Sequence, residues 1–250
     1  MLKEAIILAG GFGTRLRDVV ADVPKSMAPI NDKPFLDYQL KYLKHYGIEK
    51  IVLSVGYLSE KIIAHYGTNF EGLQISYSIE KEPLGTGGGI RLAMQQCNSK
   101  DVLVLNGDSI FDFNLNSFYT SHCGFHSNCS LALHKVENAA RYGTVTLSPF
   151  EGGGSQSRGM SNQIRIHSFN EKDGQEKPAL ISAGVYIINR NFFLKETIAA
   201  TPFSIEKDFF ETRLHETTIF GFEQQGYFID IGIPEDYKRA QHDFKEFKYY

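Results

Sequence analysis

Tryptophan is absent from the 250 residues, and cysteine occurs only as Cys97, Cys123 and Cys129. So sparse and odd-numbered a set excludes the disulfide framework of a small secreted domain. No window approaches the roughly 18 consecutive apolar residues that a membrane span needs. The start, Met1-Leu2-Lys3-Glu4, lacks the charged segment, long apolar region and small-residue cleavage site of a signal peptide. Neither sign of charge dominates: Lys+Arg total 26 and Asp+Glu 29, for a net charge of -3. That balance argues against a dedicated nucleic-acid binder and leaves room for local basic sites. A hydrophobic share of 42% excludes a disordered chain. The length suffices for a full core without a structural metal. The expectation is a cytoplasmic protein that binds neither nucleic acid nor membrane.

The first half of the chain alternates between two periods. A continuous apolar run at 4–9 reads as a strand buried on both faces, and similar short runs lie at 50–55, 73–79 and 101–106. Between them, Phe35, Leu36, Leu40, Leu43 and Tyr46 fall at helical spacing and stop at Gly47. Segments 59–66 and 88–96 are the other helix candidates. This order predicts an α/β fold with a mostly parallel sheet and helices on both faces. After about residue 128 strands dominate, at 129–136, 143–147, 163–169 and 180–189. Short helical patterns lie near 192–197 and 204–212, and a helix opens at Pro234. No internal repeat is present. The glycine- and serine-rich stretch 151–162 has linker composition. Strand patterns on both sides favour a hairpin loop there over a domain boundary.

The most informative segment is Leu8-Ala9-Gly10-Gly11-Phe12-Gly13-Thr14-Arg15-Leu16, directly after the first strand. Glycines let the backbone approach a ligand, and exposed N–H groups cradle phosphate oxygens. Leu16 stands where a dinucleotide fingerprint needs its third glycine, and no Gly-Lys-Ser/Thr of a P-loop follows. Alone, this cluster is a weak signal, with a tight strand exit as the alternative. Other features join it. Arg15 lies in the loop, and Lys25 follows in the Pro24-Lys25-Ser26-Met27 turn. A second glycine cluster, Pro83-Leu84-Gly85-Thr86-Gly87-Gly88-Gly89, separates a strand from a helix. Asn106-Gly107-Asp108 places a carboxylate at a strand's C-terminal end, where open α/β sheets bind ligands. A phosphate cradle, two cations and a carboxylate suited to Mg²⁺ point to a nucleoside triphosphate site.

With these motifs in order, the chain closely resembles the sugar-1-phosphate nucleotidyltransferases. The resemblance rests on Gly10–Leu16 with Pro24-Lys25, on 83–88, on 106–108, and on Arg141-Tyr142-Gly143. It continues through Phe169-Asn170-Glu171-Lys172, Ser182-Ala183-Gly184-Val185-Tyr186 and Phe228-Ile229-Asp230-Ile231-Gly232-Ile233-Pro234. It spans Ala5 to Tyr237. Two departures are Phe228, where many members carry Trp, and Ile233, where many carry Thr. Within the family, blocks 24–36 and 77–88 are most similar to the guanylyltransferases acting on D-glycero-α-D-manno-heptose 1-phosphate.

The resemblance implies a Rossmann-like α/β fold in a single domain over 1–250. About 1–128 would bind the nucleotide, and the more strand-rich 129–250 the sugar phosphate. It implies transfer of GMP from GTP to the heptose phosphate, giving pyrophosphate and GDP-heptose for bacterial surface polysaccharide, with Mg²⁺ as cofactor. Arg15, Lys25, Asp108 and Asp230 are the catalytic candidates, Asp108 and Asp230 also holding the metal. The nucleotide would meet Leu8, Ala9, Gly10, Gly11, Gly13, Thr14, Arg15, Lys25, Glu80, Gly85, Thr86 and Asp108. The sugar phosphate would meet Gly143, Glu171, Lys172 and Gly184. A single activity is expected, without an added acyltransferase or isomerase domain.

Glu80 has two readings. A carboxylate can accept from both N1–H and N2–H₂ of guanine, whereas a strand-end glutamate can simply be solvated. Asp230 without the resemblance reads as a turn carboxylate. Mannose 1-phosphate with GTP, glucose 1-phosphate with UTP or dTTP, and a non-catalytic nucleotide-binding regulator are the alternatives in function. Retention of Arg15, Lys25, Asp108 and Asp230 together argues against the regulator. His122, Cys123, His126 and Cys129 have ligand types and spacing for zinc, but a domain of this size needs none, and buried or loop residues are the favoured reading. Exposed strand edges in the second half point to a homodimer.

Overall fold

The computed structural model of the chain describes residues 1–11, 20, 23–149, 163–170, 174, 176–214 and 219–249. The expected loop at 151–162 lies outside them.

The fold grows from β1 (Glu4–Leu8), whose side chains alternate between two cores. Ala5 and Ile7 enter one hydrophobic cluster, and Ile6 enters the other. Such a strand is stable only at the centre of a sheet covered on both faces. After β1, the short strands β2 (Pro29–Ile30) and β3 (Lys33–Pro34) lead into α1 (Phe35–His45). Then come β4 (Lys50–Val55), α2 (Ser59–Tyr66), β5 (Asn69–Phe70), β6 (Leu73–Ile79), α3 (Gly85–Met94) and β7 (Asp101–Asn106). β1 pairs in parallel with β4 and β7, and β4 pairs in parallel with β6. The chain therefore builds outward from β1 to β4 and β6, then returns to place β7 on the other side of β1. That reversal opens a crevice at the C-terminal ends of β1 and β7, the place where doubly wound sheets bind ligands.

The second half extends the same sheet. β8 (Ser109–Asp112) and α4 (Leu115–Gly124) precede β9 (Cys129–Val136), β10 (Thr144–Pro149), β11 (Gln163–Asn170) and β12 (Ala179–Asn189). α5 (Arg190–Glu196), a π-helical turn at Ile205–Glu211, β13 (Ile219–Glu223), β14 (Tyr227–Asp230) and α6 (Pro234–Asp243) complete the chain. The ten-stranded order is β10-β11-β13-β9-β12-β7-β1-β4-β6-β5. The parallel pairs of the first half meet a second half that is antiparallel except for β9 with β13. Helices α1, α2 and α4 cover one face, and α3, α5 and the π-helical turn cover the other. A third cluster joins Ile110 of β8, Ile229 of β14, and Tyr237 and Ala240 of α6.

Several boundaries differ from expectation. α3 begins at Gly85, three residues before the pattern suggested, so the glycine cluster is the helix's first turn. The reason is proximity: a Cβ on Gly87 would lie 2.1 Å from the Phe203 ring, and one on Gly89 2.7 Å from Glu80 Oε1. No helix among the described residues is long and apolar enough to cross a membrane.

Glu4 ties the central strand to the loop before β7. One carboxylate oxygen accepts from the amides of Asn98 and Ser99 at 2.7 and 2.5 Å, and the other meets Lys50 Nζ at 3.2 Å. Burial works to raise its pKa, but the Ser99 and Asn98 donors and the Lys50 ammonium outweigh it and hold the group below the ordinary glutamate value. The stabilisation is therefore full above the unfolded-chain value of 4.5 and is lost as pH falls through the lower folded value. Glu4→Gln is expected to lower stability at pH 7 by about 2 kcal/mol. In denaturant titrations the gap to the parent chain should close as the pH drops below 4.5.

Candidate active site

The β1 exit is clamped from both sides. Ala9 N donates to Ser54 O at 2.8 Å, and Gly107 N donates to Leu8 O at 2.9 Å. A Cβ on Gly107 would stand 2.5 Å from Leu8 O, and one on Gly10 3.0 Å from Gly56 N. Glycine is thus required where these strand ends pass one another. The crevice they bound is a cleft of about 510 Å³. The structure brings Leu8, Ala9, Gly10, Gly11, Lys25, Glu80, Gly85, Thr86 and Asp108 together on its lining. Gly13, Thr14, Arg15, Glu171 and Lys172 lie outside the described residues. Ser26, Ser54, Asn106, Ser204 and Glu206 also line the cleft and were not anticipated.

Three charges meet at this site, of which Lys25 and Asp108 line the cleft and Asp230 does not. Lys25, the first residue of a 3-10 turn at Lys25–Met27, directs Nζ to Asp108 Oδ2 at 2.5 Å and to Asp230 Oδ1 at 3.6 Å. Asp108 follows β7 and Asp230 ends β14, whose antiparallel partner β8 places Asp230 opposite Ser109. Ile231 N donates to Asp108 O at 2.9 Å, fixing one backbone to the other. Asp230 also accepts from Gly232 N at 2.7 Å and pairs with Arg141 at 3.3 Å. Burial and the nearby Asp108 charge raise the Asp230 pKa, opposed by Lys25, the Gly232 amide and Arg141. The turn-carboxylate reading of Asp230 is therefore incomplete: it caps its own turn and also faces Asp108 across an ammonium.

Among the described residues no group of three or more His, Cys, Asp or Glu side chains could hold a metal. Two carboxylates converging on one cation do fit Mg²⁺, which takes one or two carboxylates and fills its shell with phosphate oxygens and water. The zinc pattern dissolves. His122 is buried against Ser130 Oγ at 2.8 Å and Asp101 at 3.5 Å, Cys129 is a core residue of β9, and Cys123 is exposed.

Glu80 is half-buried and anchored, which overturns the solvated reading. Oε2 accepts from Leu84 N at 2.9 Å and Oε1 from Ser54 Oγ at 3.2 Å. Both oxygens retain lone pairs for further donors. The two described sugar-phosphate candidates are not among the residues that line the cleft. Gly184 sits in a bulge of β12 at φ +70°, and a Cβ there would come 2.6 Å from Asn106 Nδ2. Gly143 O accepts from Ser182 N at 3.0 Å. Thr86 reaches the cleft with its hydroxyl already engaged by Glu206 at 2.7 Å. Sequence reasoning missed Gln39, which is buried on α1 and donates to both Asn106 O at 2.7 Å and Ser109 O at 2.8 Å. Its signal was a polar residue within the stripe Leu36, Leu40, Leu43.

A family model described as Nucleotidyl transferase matches residues 4–246. The chain belongs to the nucleotidyl transferase family. This nucleotidyl transferase is 41% identical over 247 residues to D-glycero-alpha-D-manno-heptose 1-phosphate guanylyltransferase of Aneurinibacillus thermoaerophilus, covering 99% of each chain. It is 39% identical over 234 residues to the protein of that name from Campylobacter jejuni, covering 94% of this chain and 96% of the relative. The crystal structure of HddC from Yersinia pseudotuberculosis complexed with GMP-PN superposes with a TM-score of 0.81 at 32% identity, covering 98% of this chain and 100% of that one. The Rossmann-like fold and the transferase class expected from the motifs are thus borne out.

Gln39→Leu would leave the Asn106 and Ser109 carbonyls without their shared donor. It should cost about 1–3 kcal/mol in thermal or denaturant unfolding. Displacement of Asp108 should also slow pyrophosphate release by on the order of 10- to 100-fold in steady-state assays.

Proposed function

We propose that this nucleotidyl transferase moves GMP from GTP to D-glycero-α-D-manno-heptose 1-phosphate, giving GDP-heptose and pyrophosphate. Near full-length similarity to two guanylyltransferases of that name supports the reading. The observation that carries it in the cleft is Glu80, a carboxylate held by Leu84 N and Ser54 Oγ. Guanine offers two adjacent donors, N1–H and N2–H₂, which one carboxylate can accept together. Uracil and thymine offer one donor flanked by acceptors, a poor match.

In the proposed step a sugar-phosphate oxygen attacks the α-phosphorus in line. One P–O bond forms, the bond to pyrophosphate breaks, and no proton needs to move. Catalysis is then positioning and neutralisation of charge. Lys25 exchanges its carboxylate partners for α-phosphate oxygens as charge develops there. Asp108 and Asp230 would hold Mg²⁺, which when bound supplies charge neutralisation and orientation at the phosphates. Arg15 at the leaving pyrophosphate and Lys172 at the incoming sugar phosphate are assigned by the family resemblance alone. The same holds for Gly143, Glu171 and Gly184 at the sugar.

Pyrophosphate release across a matrix of nucleoside triphosphates and sugar 1-phosphates tests the reading. GTP with the heptose phosphate should give the highest kcat/KM, and equal or greater turnover of mannose 1-phosphate, or of UTP or dTTP, would overturn it. Glu80→Gln should cut the preference for GTP over UTP by roughly 10- to 100-fold, the worth of a hydrogen bond to a charged acceptor. An unchanged preference removes Glu80 from base selection.

A further inference from the structure

Three carboxylates line the cleft: Glu80, Asp108 and Glu206. The first two have roles above. Glu206 lies far along the chain, on the π-helical turn, and reaches the cleft from the second half. Its Oε2 accepts from Thr86 Oγ1 at 2.7 Å and from Ser204 Oγ at 2.8 Å. Thr86 Oγ1 in turn accepts from Ile205 N at 2.9 Å, so the carboxylate is locked against the first turn of α3. Oε1 is left with one long contact, 3.4 Å from the Tyr186 hydroxyl. That exceeds the usual length of an O–H···O bond. Among the described residues no ammonium or guanidinium pairs with Glu206.

A carboxylate fixed through one oxygen and open at the other is an acceptor prepared for a ligand donor. Phosphate oxygens cannot fill it, because they are acceptors and carry the same charge. Guanine's paired donors fall to Glu80. The remaining donors on the two substrates are hydroxyl groups. Tyr186 beside Glu206 stands on β12, two residues beyond Gly184, and β12 is the second-half neighbour of β7, which ends at Asn106. Glu206 thus belongs to the wall that the second half contributes.

We propose that Glu206 is a specificity-determining residue that accepts hydrogen bonds from hydroxyl groups of the sugar phosphate, with Thr86 and Ser204 setting its orientation. The proposal rests on the sugar-1-phosphate transfer reading. It holds for whichever sugar the enzyme takes.

The test is steady-state pyrophosphate release by the full chain with Glu206→Gln and Glu206→Ala, each substrate varied in turn. The sugar 1-phosphate is the one selected by the matrix above, and thermal unfolding is followed in parallel. Glu206→Gln keeps the shape and an acceptor for Thr86 and Ser204. We expect the KM for the sugar phosphate to rise roughly 10-fold or more. The KM for GTP should stay within about twofold and the melting temperature should hold. A rise confined to the KM for GTP would place Glu206 on the ribose and overturn the proposal. An unchanged sugar-phosphate KM in Glu206→Gln, with only Glu206→Ala losing thermal stability, would reduce Glu206 to a structural clasp and overturn it too. If the enzyme prefers a sugar other than the heptose and Glu206→Gln still raises that sugar's KM, the heptose reading fails while this one stands.

Discussion

The site depends on one ionic contact: the Lys25 ammonium against the carboxylates of Asp108 and Asp230. Three separate parts of the chain are joined there, namely the turn before β2, the end of β7 and the end of β14. Without a cation between them, two partly buried carboxylates would repel, and burial together with the Asp108 charge raises the Asp230 pKa. Gly232 keeps the space open, since a Cβ there would lie 2.9 Å from Lys25 Nζ and 2.8 Å from Asp230 Oδ1. The protein thus carries its own cation at the point where the proposed reaction would bring polyanionic substrates.

Around that contact the support is polar and mostly buried. Gln39 holds the turn that carries Asp108, and Ser54 steadies Glu80. Arg141 bridges Asp230 to Asp236 in the first turn of α6, with N–O distances of 3.3 and 2.6 Å. Ser26 Oγ and Asn106 Oδ1 are buried cleft atoms with no hydrogen-bond partner among the described residues. An unpaired buried hydroxyl or amide oxygen carries a free-energy cost that a polar partner relieves.

Residues whose chemistry and local spacing speak together were legible in the sequence. Gly10, Lys25 and Asp108 each sit in a short motif beside an apolar strand, and the strand ends bring them together. β1, β4 and β7 were legible because short apolar runs admit few other structures, and β6 because Leu73, Ile75, Tyr77 and Ile79 alternate with polar residues. The ribbon of β8 and β14 was not, because four-residue strands are too short to show a period. Gln39, Arg141 and Glu206 acquire their roles through contacts with residues 67 to 120 positions away. No local pattern encodes such partners. The early start of α3 escaped for a related reason. Its glycines look like a loop until Phe203, from the other half, is seen pressed against them.

That packing has a dynamic consequence. The first turn of α3 has four glycines in five residues, each costing about 1 kcal/mol of helix propensity relative to alanine. The amides of Gly87 and Gly88 are held by a single carbonyl, Phe203 O, at 3.0 and 3.4 Å. This turn is therefore ordered by its neighbour more than by itself, and local opening of the segment at 203–206 would release it. Amide exchange at Gly87 and Gly88 would then report on a segment more than a hundred residues away. Contacts across the rim of the cleft thus tie the order of one segment to that of another from the other half.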